Sequence, residues 1–218
     1  MNMKKTIVCF GDSNTHGYCS ETRGRFSEEE RYPCLLSNLL GNEYSVKEEG
    51  LSGRTTCFED PLHESMSGIS AIYSCLMSHK PVHLLIIMLG TNDTKERFGA
   101  TAQNIADGMY RLARKAISLA DAFYNQVPNI LIVAPPPINK RYKDTFIVGE
   151  MGQGCAKKSR KLAVRYKAVA DLLNLHFLDA GSIDGICMAP EDYMHLTRES
   201  HKILANSLAS KIPDFFHQ

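Results

Sequence analysis

Short apolar runs alternate along the chain with segments in which apolar residues recur at helical intervals. Three apolar runs bounded by loop residues have the character of strands buried on both faces of a parallel sheet: residues 6–10, 83–88 and 130–134. Weaker runs at 44–47 and 176–178 predict two further strands. Apolar residues three or four positions apart predict five helices, at 33–40, 67–77, 102–119, 156–173 and 197–212.

The order of these elements predicts an α/β fold. Strands that alternate with helices are joined by right-handed crossovers, which place helices on both faces of a parallel sheet. We therefore expect a flavodoxin-like, three-layer α/β/α architecture with a central parallel sheet of about five strands, in one domain that spans residues 1–218. The fourth helix carries an apolar stripe made of Leu162, Tyr166, Val169 and Leu173. Helical spacing of this kind is typical of a face that packs into the core rather than around a cofactor.

The longest segment without clear periodicity follows the third strong strand. It begins with Pro135, Pro136 and Pro137 and continues through polar residues to Gly154. A loop of this length at the C-terminal edge of a sheet is typical of an active-site lid. Its apolar stretch at 145–148 lies among polar residues, which favours burial between subunits, and we therefore predict a homo-oligomer.

Composition and charge limit the partners that the protein can have. Hydrophobic residues make up 44% of the chain and charged residues 22%, which is typical of a globular protein with a sizeable core. Lys and Arg number 25 against 24 for Asp and Glu, so the net charge of +1 offers no basic surface for nucleic acid. Apolar stretches fall short of the roughly 20 residues that span a bilayer, and the N-terminal one is too short for a signal peptide. We therefore expect a cytoplasmic protein with neither nucleic acid nor a membrane as partner.

The first strand ends in a tight turn that carries a serine. Residues 11–17 read Gly-Asp-Ser-Asn-Thr-His-Gly, so the hydroxyl and backbone N–H of Ser13 lie at the C-terminal edge of the sheet, where ligands bind in this class of fold. Taken alone, the turn leaves three interpretations open: a nucleophile, a phosphate-binding loop and a serine that caps the next helix. The helix cap is favoured if nothing else is considered.

Three other segments supply the remaining groups of an acyl-transfer site. Gly53 presents a backbone N–H without an obstructing side chain, and Asn92 offers a neutral amide donor. Asp192 precedes His195 by three residues, which allows the carboxylate to hydrogen-bond one ring nitrogen while the other faces Ser13. A loop glycine and an Asx turn are simpler interpretations of the first two, but the joint occurrence of all these segments favours a catalytic site.

Four motifs, in this order, resemble the four sequence blocks of the SGNH (GDSL) hydrolases: Gly-Asp-Ser at 11–13, the glycine at 53, Gly-Thr-Asn-Asp at 90–93 and Asp-x-x-His at 192–195. Longer strings are similar to those of the small arylesterase/acyltransferase subgroup, whose members act on short acyl esters. They are Glu-Glu-Gly-Leu-Ser-Gly-Arg-Thr-Thr, Ile-Ile-Met-Leu-Gly-Thr-Asn-Asp-Thr-Lys and Ala-Pro-Pro-Pro. The resemblance extends along essentially the whole chain.

The resemblance implies a serine esterase with a catalytic triad. It assigns Ser13 as nucleophile, His195 as base and Asp192 as the group that orients the base. The N–H groups of Ser13 and Gly53 and the side-chain amide of Asn92 form the implied oxyanion hole. The implied activity is hydrolysis of short-chain acyl esters through an acyl-enzyme, with acyl transfer to alcohols as a further possibility and with no metal or organic cofactor.

Two positions depart from the family's pattern, and two alternatives stay open. Asn14 follows Gly-Asp-Ser where the pattern has leucine, and Tyr18 stands where acyltransferase-like members tend to carry tryptophan, so hydrolysis is favoured over transfer. One alternative is a carbohydrate esterase that removes acetyl groups from sugars. The other is a non-enzymatic flavin- or nucleotide-binding module that uses the Ser13 loop as a phosphate nest, which leaves the other three motifs unexplained.

The remaining titratable residues do not form a second site in the sequence. The seven cysteines show neither a paired framework nor a C-x-x-C motif, and we expect reduced thiols. His79 and His83 have the separation of metal ligands, but a proline lies between them and no carboxylate or cysteine cluster joins them. We interpret Asp12 and Asp93 as turn residues that bond the backbone. His16 is a candidate wall of the substrate pocket.

Overall fold

A five-stranded parallel sheet lies at the centre of the protein. Within residues 4–216, which the computed structural model describes, the strands are β1 (Lys5–Gly11), β2 (Tyr18–Cys19), β3 (Gly24–Arg25), β4 (Tyr44–Gly50), β5 (Leu84–Met88), β6 (Ile130–Ala134) and β7 (His176–Asp179). The sheet order is β4-β1-β5-β6-β7 with every pair parallel, while β2 and β3 form a short antiparallel hairpin. This is the flavodoxin-like order, and the predicted fold class is confirmed.

The helices lie close to their predicted positions. They are α1 (Ser13–His16), α2 (Tyr32–Leu40), α3 (Gly68–His79), α4 (Ala102–Ile117), α5 (Val148–Met151), α6 (Cys155–Ser159), α7 (Leu162–Leu173) and α8 (Arg198–Lys211). The helices predicted at 33–40, 67–77, 102–119 and 197–212 are present, with ends shifted by one or two residues. Helix α4 begins at a capping box in which the side chains of Thr101 and Asn104 each accept a backbone N–H of the other. Among the described helices, none is both long and apolar enough to cross a membrane.

Alternate residues of the central strands pack into two cores, one on each face of the sheet. On β1, Val8 and Phe10 join the core that contains α3, α4 and α7. Ile7 and Cys9 join the core that contains α2 and α8. Because both faces are covered, β5 and β6 are apolar at every position, which is the signal that made these strands predictable.

The helix predicted at 156–173 is two helices in the structure. Between α6 and α7 the backbone tightens, and the N–H of Lys161 donates to the carbonyl of Lys158, three residues earlier rather than four. The two helices serve different cores: Cys155 packs with the segment that precedes it, whereas Leu162 and Tyr166 pack on the sheet. The apolar stripe of the predicted helix faces the core on the sheet, as expected. Contact with the second core, around Cys155, requires the break between α6 and α7.

The segment after the triple proline forms a small core of its own. Residues 138–156, here called the lid segment, contain a 3-10 helix (Lys140–Asp144) followed by α5 and the start of α6. Tyr142 is fully buried, and its hydroxyl donates to the carbonyl of Gly152 at 2.8 Å and accepts from the N–H of Cys155 at 3.3 Å. Met194 from the loop before α8 completes this core, so the lid segment is held against that loop.

Candidate active site

Ser13 is the first residue of α1, directly after the C-terminal end of β1. The carboxylate of Asp12 caps the helix by accepting the N–H of Asn14 at 3.0 Å. A side chain at Gly50, the last residue of β4, would overlap the backbone nitrogen of His16, so only glycine lets α1 lie this close to the sheet. Ser13 is thereby held at the edge where the strand order of the sheet reverses, between β1 and β5.

A continuous hydrogen-bonded chain joins Ser13, His195 and Asp192. The hydroxyl of Ser13 lies 2.8 Å from Nε2 of His195, and Nδ1 of His195 lies 2.6 Å from Oδ2 of Asp192. All three side chains are buried. Since a carboxylate only accepts, Nδ1 carries the proton, which leaves the lone pair of Nε2 to accept from the serine hydroxyl. The chain of contacts is therefore oriented to draw a proton away from Ser13.

Four donors hold the Asp192 carboxylate. Its Oδ1 accepts the backbone N–H groups of Met194 and His195, both at 2.9 Å, and its Oδ2 accepts the hydroxyl of Ser20 at 2.5 Å in addition to the imidazole. Burial raises the pKa of Asp192, but the hydrogen bonds from His195 and Ser20 outweigh it and lower the pKa to about 2. The carboxylate is therefore ionised at neutral pH. Tyr193 has a φ of 57°, in the left-handed region, and forms the tight turn between Asp192 and His195.

Two polar contacts in this region were not found from the sequence. Ser20 lies on the β2–β3 hairpin, and its contact with Asp192 joins residues 172 positions apart. The side chain of Asn14 accepts the N–H of Leu196 at 2.9 Å and so ties α1 to the loop that carries His195. The departure of Asn14 from the family's leucine was a usable signal for the second contact. Nothing in the sequence around Ser20 indicated its contact with Asp192.

The three predicted oxyanion-hole residues line one cleft with His195. Ser13 opens α1, so its N–H has no acceptor within the helix. Gly53 has φ of 93°, and in the described part of the chain its N–H has no hydrogen-bond partner. The side-chain amide of Asn92 donates one hydrogen to the carbonyl of Arg54 at 3.1 Å, which fixes the amide and leaves its second hydrogen available.

A buried carboxylate ties together the loops that carry Gly53 and Asn92. Asp93 accepts the backbone N–H of Thr56 at 2.9 Å and also its hydroxyl. Burial raises the pKa of Asp93 to about 6, and the hydrogen bonds from Thr56 offset only part of that effect. Burial likewise raises the pKa of Asp12 to about 6, against the opposing bond from Asn14. Both carboxylates bond the backbone of neighbouring turns, as the sequence predicts.

The cleft has a volume of about 310 Å³ and a mixed lining. Its apolar lining, here called the apolar wall, is formed by Tyr18, Met66, Ile147, Met151 and Met194. Its ionisable lining, here called the charged wall, is formed by His63, Lys95 and Glu150. The ring of Tyr18 lies 4.5 Å from that of His195, centroid to centroid. The prediction that His16 forms part of the wall is wrong, because its backbone packs against Gly50 at the end of β4 and the residue does not line the cleft.

The histidines with ligand-like spacing have other partners. Nε2 of His79 lies 2.7 Å from a carboxylate oxygen of Glu49, and Nδ1 of His83 accepts the N–H of Thr6 at 3.0 Å. Donor atoms of Asp60, His63 and Glu150 do lie within 4.8 Å of one another, a separation that a metal ion would suit. Two cations already pair with these oxygens, however: Lys95 lies 2.8 Å from Glu150, and Arg97 lies 2.9 Å from Asp60.

The sheet has the flavodoxin-like order, and its C-terminal edge carries a Ser–His–Asp hydrogen-bond chain beside amide donors. Together these features define the class of α/β proteins with the SGNH architecture. The chain matches the GDSL-like Lipase/Acylhydrolase family over residues 9–203, and it belongs to this family. The family identified from the four motifs is therefore confirmed.

Solved structures of similar proteins cover nearly the whole chain. An aryl esterase of M. smegmatis is 35% identical, with 97% of this chain and 99% of that chain covered and a TM-score of 0.86. A carbohydrate acetylesterase from Sinorhizobium meliloti is 34% identical, with 98% and 100% covered and a TM-score of 0.85. An acetylxylan esterase of Xylanibacter ruminicola is 26% identical over 223 residues, which are 94% of this chain and 42% of that protein. The chain thus spans less than half the length of that enzyme.

Proposed function

We propose that the protein is a serine esterase that hydrolyses short-chain acyl esters, with Ser13 as nucleophile. The observation that carries this proposal is the hydrogen-bonded chain from Ser13 through His195 to Asp192, which opens into a cleft lined by Gly53 and Asn92. Similar proteins named as aryl and carbohydrate esterases support the same activity.

The proposed mechanism uses each of these groups in turn. His195 Nε2 takes the hydroxyl proton as Ser13 Oγ bonds to the ester carbonyl carbon, and the oxyanion accepts hydrogen bonds from the N–H groups of Ser13 and Gly53 and the amide of Asn92. The tetrahedral intermediate then expels the alcohol, which leaves with the imidazolium proton. Water attacks the acyl-enzyme in the same way, and the carboxylic acid is released. An alcohol in place of this water gives acyl transfer with the same residues.

The size of the cleft supports a preference for short acyl groups. Its volume of about 310 Å³ is at the lower end for a small-molecule site. The lid segment limits it through Ile147 and Met151, and the loop before α8 limits it through Met194. These side chains limit the apolar part of the cleft, and we expect acetyl to butyryl esters to be turned over faster than esters of longer chains.

Removal of acetyl groups from sugars is the second candidate. It requires the same catalytic groups and differs only in the alcohol that leaves. The names of the acetylxylan esterase and the carbohydrate acetylesterase favour it, and so does the charged wall of the cleft. A phosphate nest at the Ser13 loop is disfavoured, because the N–H groups of Asn14, His16 and Gly17 already donate within the turn.

Replacement of Ser13 tests the proposal directly. Ser13→Ala and His195→Ala each lower kcat for an aryl acetate by about 10³- to 10⁶-fold, because triad members act as a unit. A fluorophosphonate labels the wild type and not Ser13→Ala. Ser210→Ala, an exposed serine of α8, is the matched control and retains wild-type turnover. Hydrolysis at a near wild-type rate by folded Ser13→Ala protein would refute the nucleophile.

The homo-oligomer remains part of the proposal. Within the apolar stretch at 145–148, Ile147 and Val148 pack partly against the lid core, whereas Phe146 is 46% exposed. Phe146 is therefore the side chain on which a subunit contact through this stretch depends. Light scattering of the wild type gives a mass above the 24.3 kDa of one chain, and Phe146→Ser reduces it. A wild-type mass of one chain contradicts this part alone.

A further inference from the structure

The charged wall of the cleft has no role in the mechanism proposed above. It consists of Lys95, Glu150 and His63, with Asp60 and Arg97 behind them. A short acyl group and a simple alcohol are both neutral, so neither requires a charged side chain beyond the triad. Charges taken out of water are costly unless they are paired, and here each is paired beside the place where the ester binds.

The wall is built into the fold rather than placed on a mobile surface. Lys95 is only 3% exposed, and its ammonium lies 2.8 Å from Oε1 of Glu150 and 3.5 Å from Oδ2 of Asp60. Its backbone N–H donates to the carbonyl of Asn92 at 3.0 Å, so the wall begins one turn beyond the amide of the oxyanion hole. Glu150 comes from the lid segment, which brings the acceptor to the ammonium.

The charges of the wall cancel. Two cations, Lys95 and Arg97, pair with two carboxylates, Glu150 and Asp60, so the wall favours neither an anionic nor a cationic substrate. Lys95 and Arg97 also place two positive charges beside these carboxylates, which disfavours a metal ion there. What the wall does offer is strong hydrogen bonding, because donors and acceptors that carry charge bind neutral polar groups more tightly than uncharged ones do.

The unused bonding positions of the wall match a hydroxyl group. An ammonium has three hydrogens, and the contacts of Lys95 with Asp60 and Glu150 engage at most two of them, which leaves at least one to donate. In the described part of the chain, the contacts of Glu150 involve Oε1, so Oε2 is available to accept. A hydroxyl both donates and accepts and therefore satisfies the two groups together.

We propose that the charged wall is the alcohol-side subsite of the cleft, and that it selects esters whose alcohol carries a free hydroxyl next to the acylated one, as in partially acetylated sugars. This inference rests on the proposed esterase activity. The ester lies with its acyl group against the apolar wall and its carbonyl at Ser13. The neighbouring hydroxyl then accepts from Lys95 and donates to Glu150.

A pair of acetates that differ by one hydroxyl tests the subsite. The substrates are cyclohexyl acetate and the monoacetate of trans-cyclohexanediol, which have the same ring and the same ester. We expect the wild type to show a kcat/KM about 10- to 100-fold higher for the diol monoacetate, the range that one hydrogen bond to a charged group provides. Equal kcat/KM values for the two acetates would overturn the proposal.

Variants identify the wall as the source of the preference. Lys95→Met combined with Glu150→Gln keeps the wall neutral, and we expect the ratio of the two kcat/KM values to fall to near one. Lys202→Met on α8 is the control and keeps the wild-type ratio. A wild-type ratio in the double variant would overturn the proposal.

Ser13→Ala and the pair of acetates distinguish an error in the esterase mechanism from an error in the subsite. If Ser13→Ala hydrolyses both acetates as fast as the wild type, the esterase mechanism is wrong. If Ser13→Ala is inactive but the wild type does not distinguish the two acetates, only the subsite is wrong. A thermal melt of each variant, compared with the wild type, separates a lost contact from a lost fold.

Discussion

At the scale of single residues, the geometry of the site depends on polar groups that do not contact Ser13 but hold the residues that do. Asp192 receives four hydrogen bonds, so its carboxylate cannot rotate away from the imidazole. Three of those donors belong to the Asp-x-x-His motif and its backbone, and their roles follow from the sequence. The fourth is Ser20, which reaches the carboxylate only because the β2–β3 hairpin folds beside it.

Ser20 acts through Asp192, as a positioning residue. Ser20→Ala removes a donor that both orients the Asp192 carboxylate and lowers its pKa. Without it the carboxylate is held less firmly toward His195, which lowers the rate, but it pairs more strongly with the protonated imidazole, which moves the pH profile. We expect kcat/KM to fall by about 3- to 10-fold and the midpoint of its acid limb to move to higher pH. Ser20→Thr, which keeps the hydroxyl beside a cavity of about 240 Å³, restores both. A lower rate with no shift of the pH profile would instead indicate a purely structural role.

Asn92 is held ready for its proposed role by the carbonyl of Arg54. Asn92→Ala removes a fixed donor from the oxyanion hole, and we expect kcat to fall by about 10²- to 10³-fold with a much smaller change in KM. Steady-state kinetics with an aryl acetate give both constants. Asn206→Ala on the exposed face of α8 is the control. A change confined to KM would make Asn92 a substrate-binding residue.

At the scale of elements, the lid segment is the part of the chain whose structure the sequence did not reveal. Its residues show no clear periodicity because its helices are short and pack around Tyr142 rather than along a sheet. Its position beside the cleft was predictable, since it follows a strand at the C-terminal edge. Its contribution of Glu150 to the charged wall was not, because that contact depends on how a non-periodic segment folds.

The hydroxyl of Tyr142 holds the lid segment together. Tyr142→Phe leaves the carbonyl of Gly152 and the N–H of Cys155 without their partner in a buried place, at a cost of about 1 to 3 kcal/mol. We expect a lower melting temperature and faster hydrogen exchange in residues 138–156. Tyr73→Phe, at an exposed position of α3, leaves both unchanged. Unaltered exchange in the lid segment of Tyr142→Phe would contradict this role.

At the scale of the whole molecule, the sheet and the four motifs were predictable for the same physical reason. Strands buried on both faces, such as β5 and β6, are apolar at every position and can be recognised from the sequence. Each motif lies just after a strand or just before a helix, so its place at the C-terminal edge of the sheet can be predicted from the strands and helices. Contacts between distant segments lack such a pattern. The bond from Asn14 to Leu196 and the ion pairs of Lys95 and Glu150 join residues far apart in sequence, and only the folded chain brings them together.

Two buried carboxylates in the turns beside the cleft, Asp12 and Asp93, make the stability of the protein depend on pH in a particular direction. Burial raises the pKa of Asp93 from its ordinary value of 3.8 to about 6, so the folded protein holds this proton more tightly than the unfolded chain does. The stability that Asp93 contributes is therefore complete below about pH 4 and is lost as the pH rises through about 6. Asp12 has the same sign, whereas the stability contributed by Asp192 is lost as the pH falls from about 4 to 2.

Asp93→Asn isolates this effect, because an amide stays neutral and its oxygen can still accept from Thr56. We expect the free energy of unfolding of the variant, relative to the wild type, to rise by about 1 to 3 kcal/mol between about pH 4.5 and 7.5. Urea unfolding at the two pH values measures it, and the rest of the titrating groups cancel in the difference. Asp107→Asn, on the exposed side of α4, should show no such rise. If both variants change alike with pH, the buried Asp93 carboxylate is not the group that titrates.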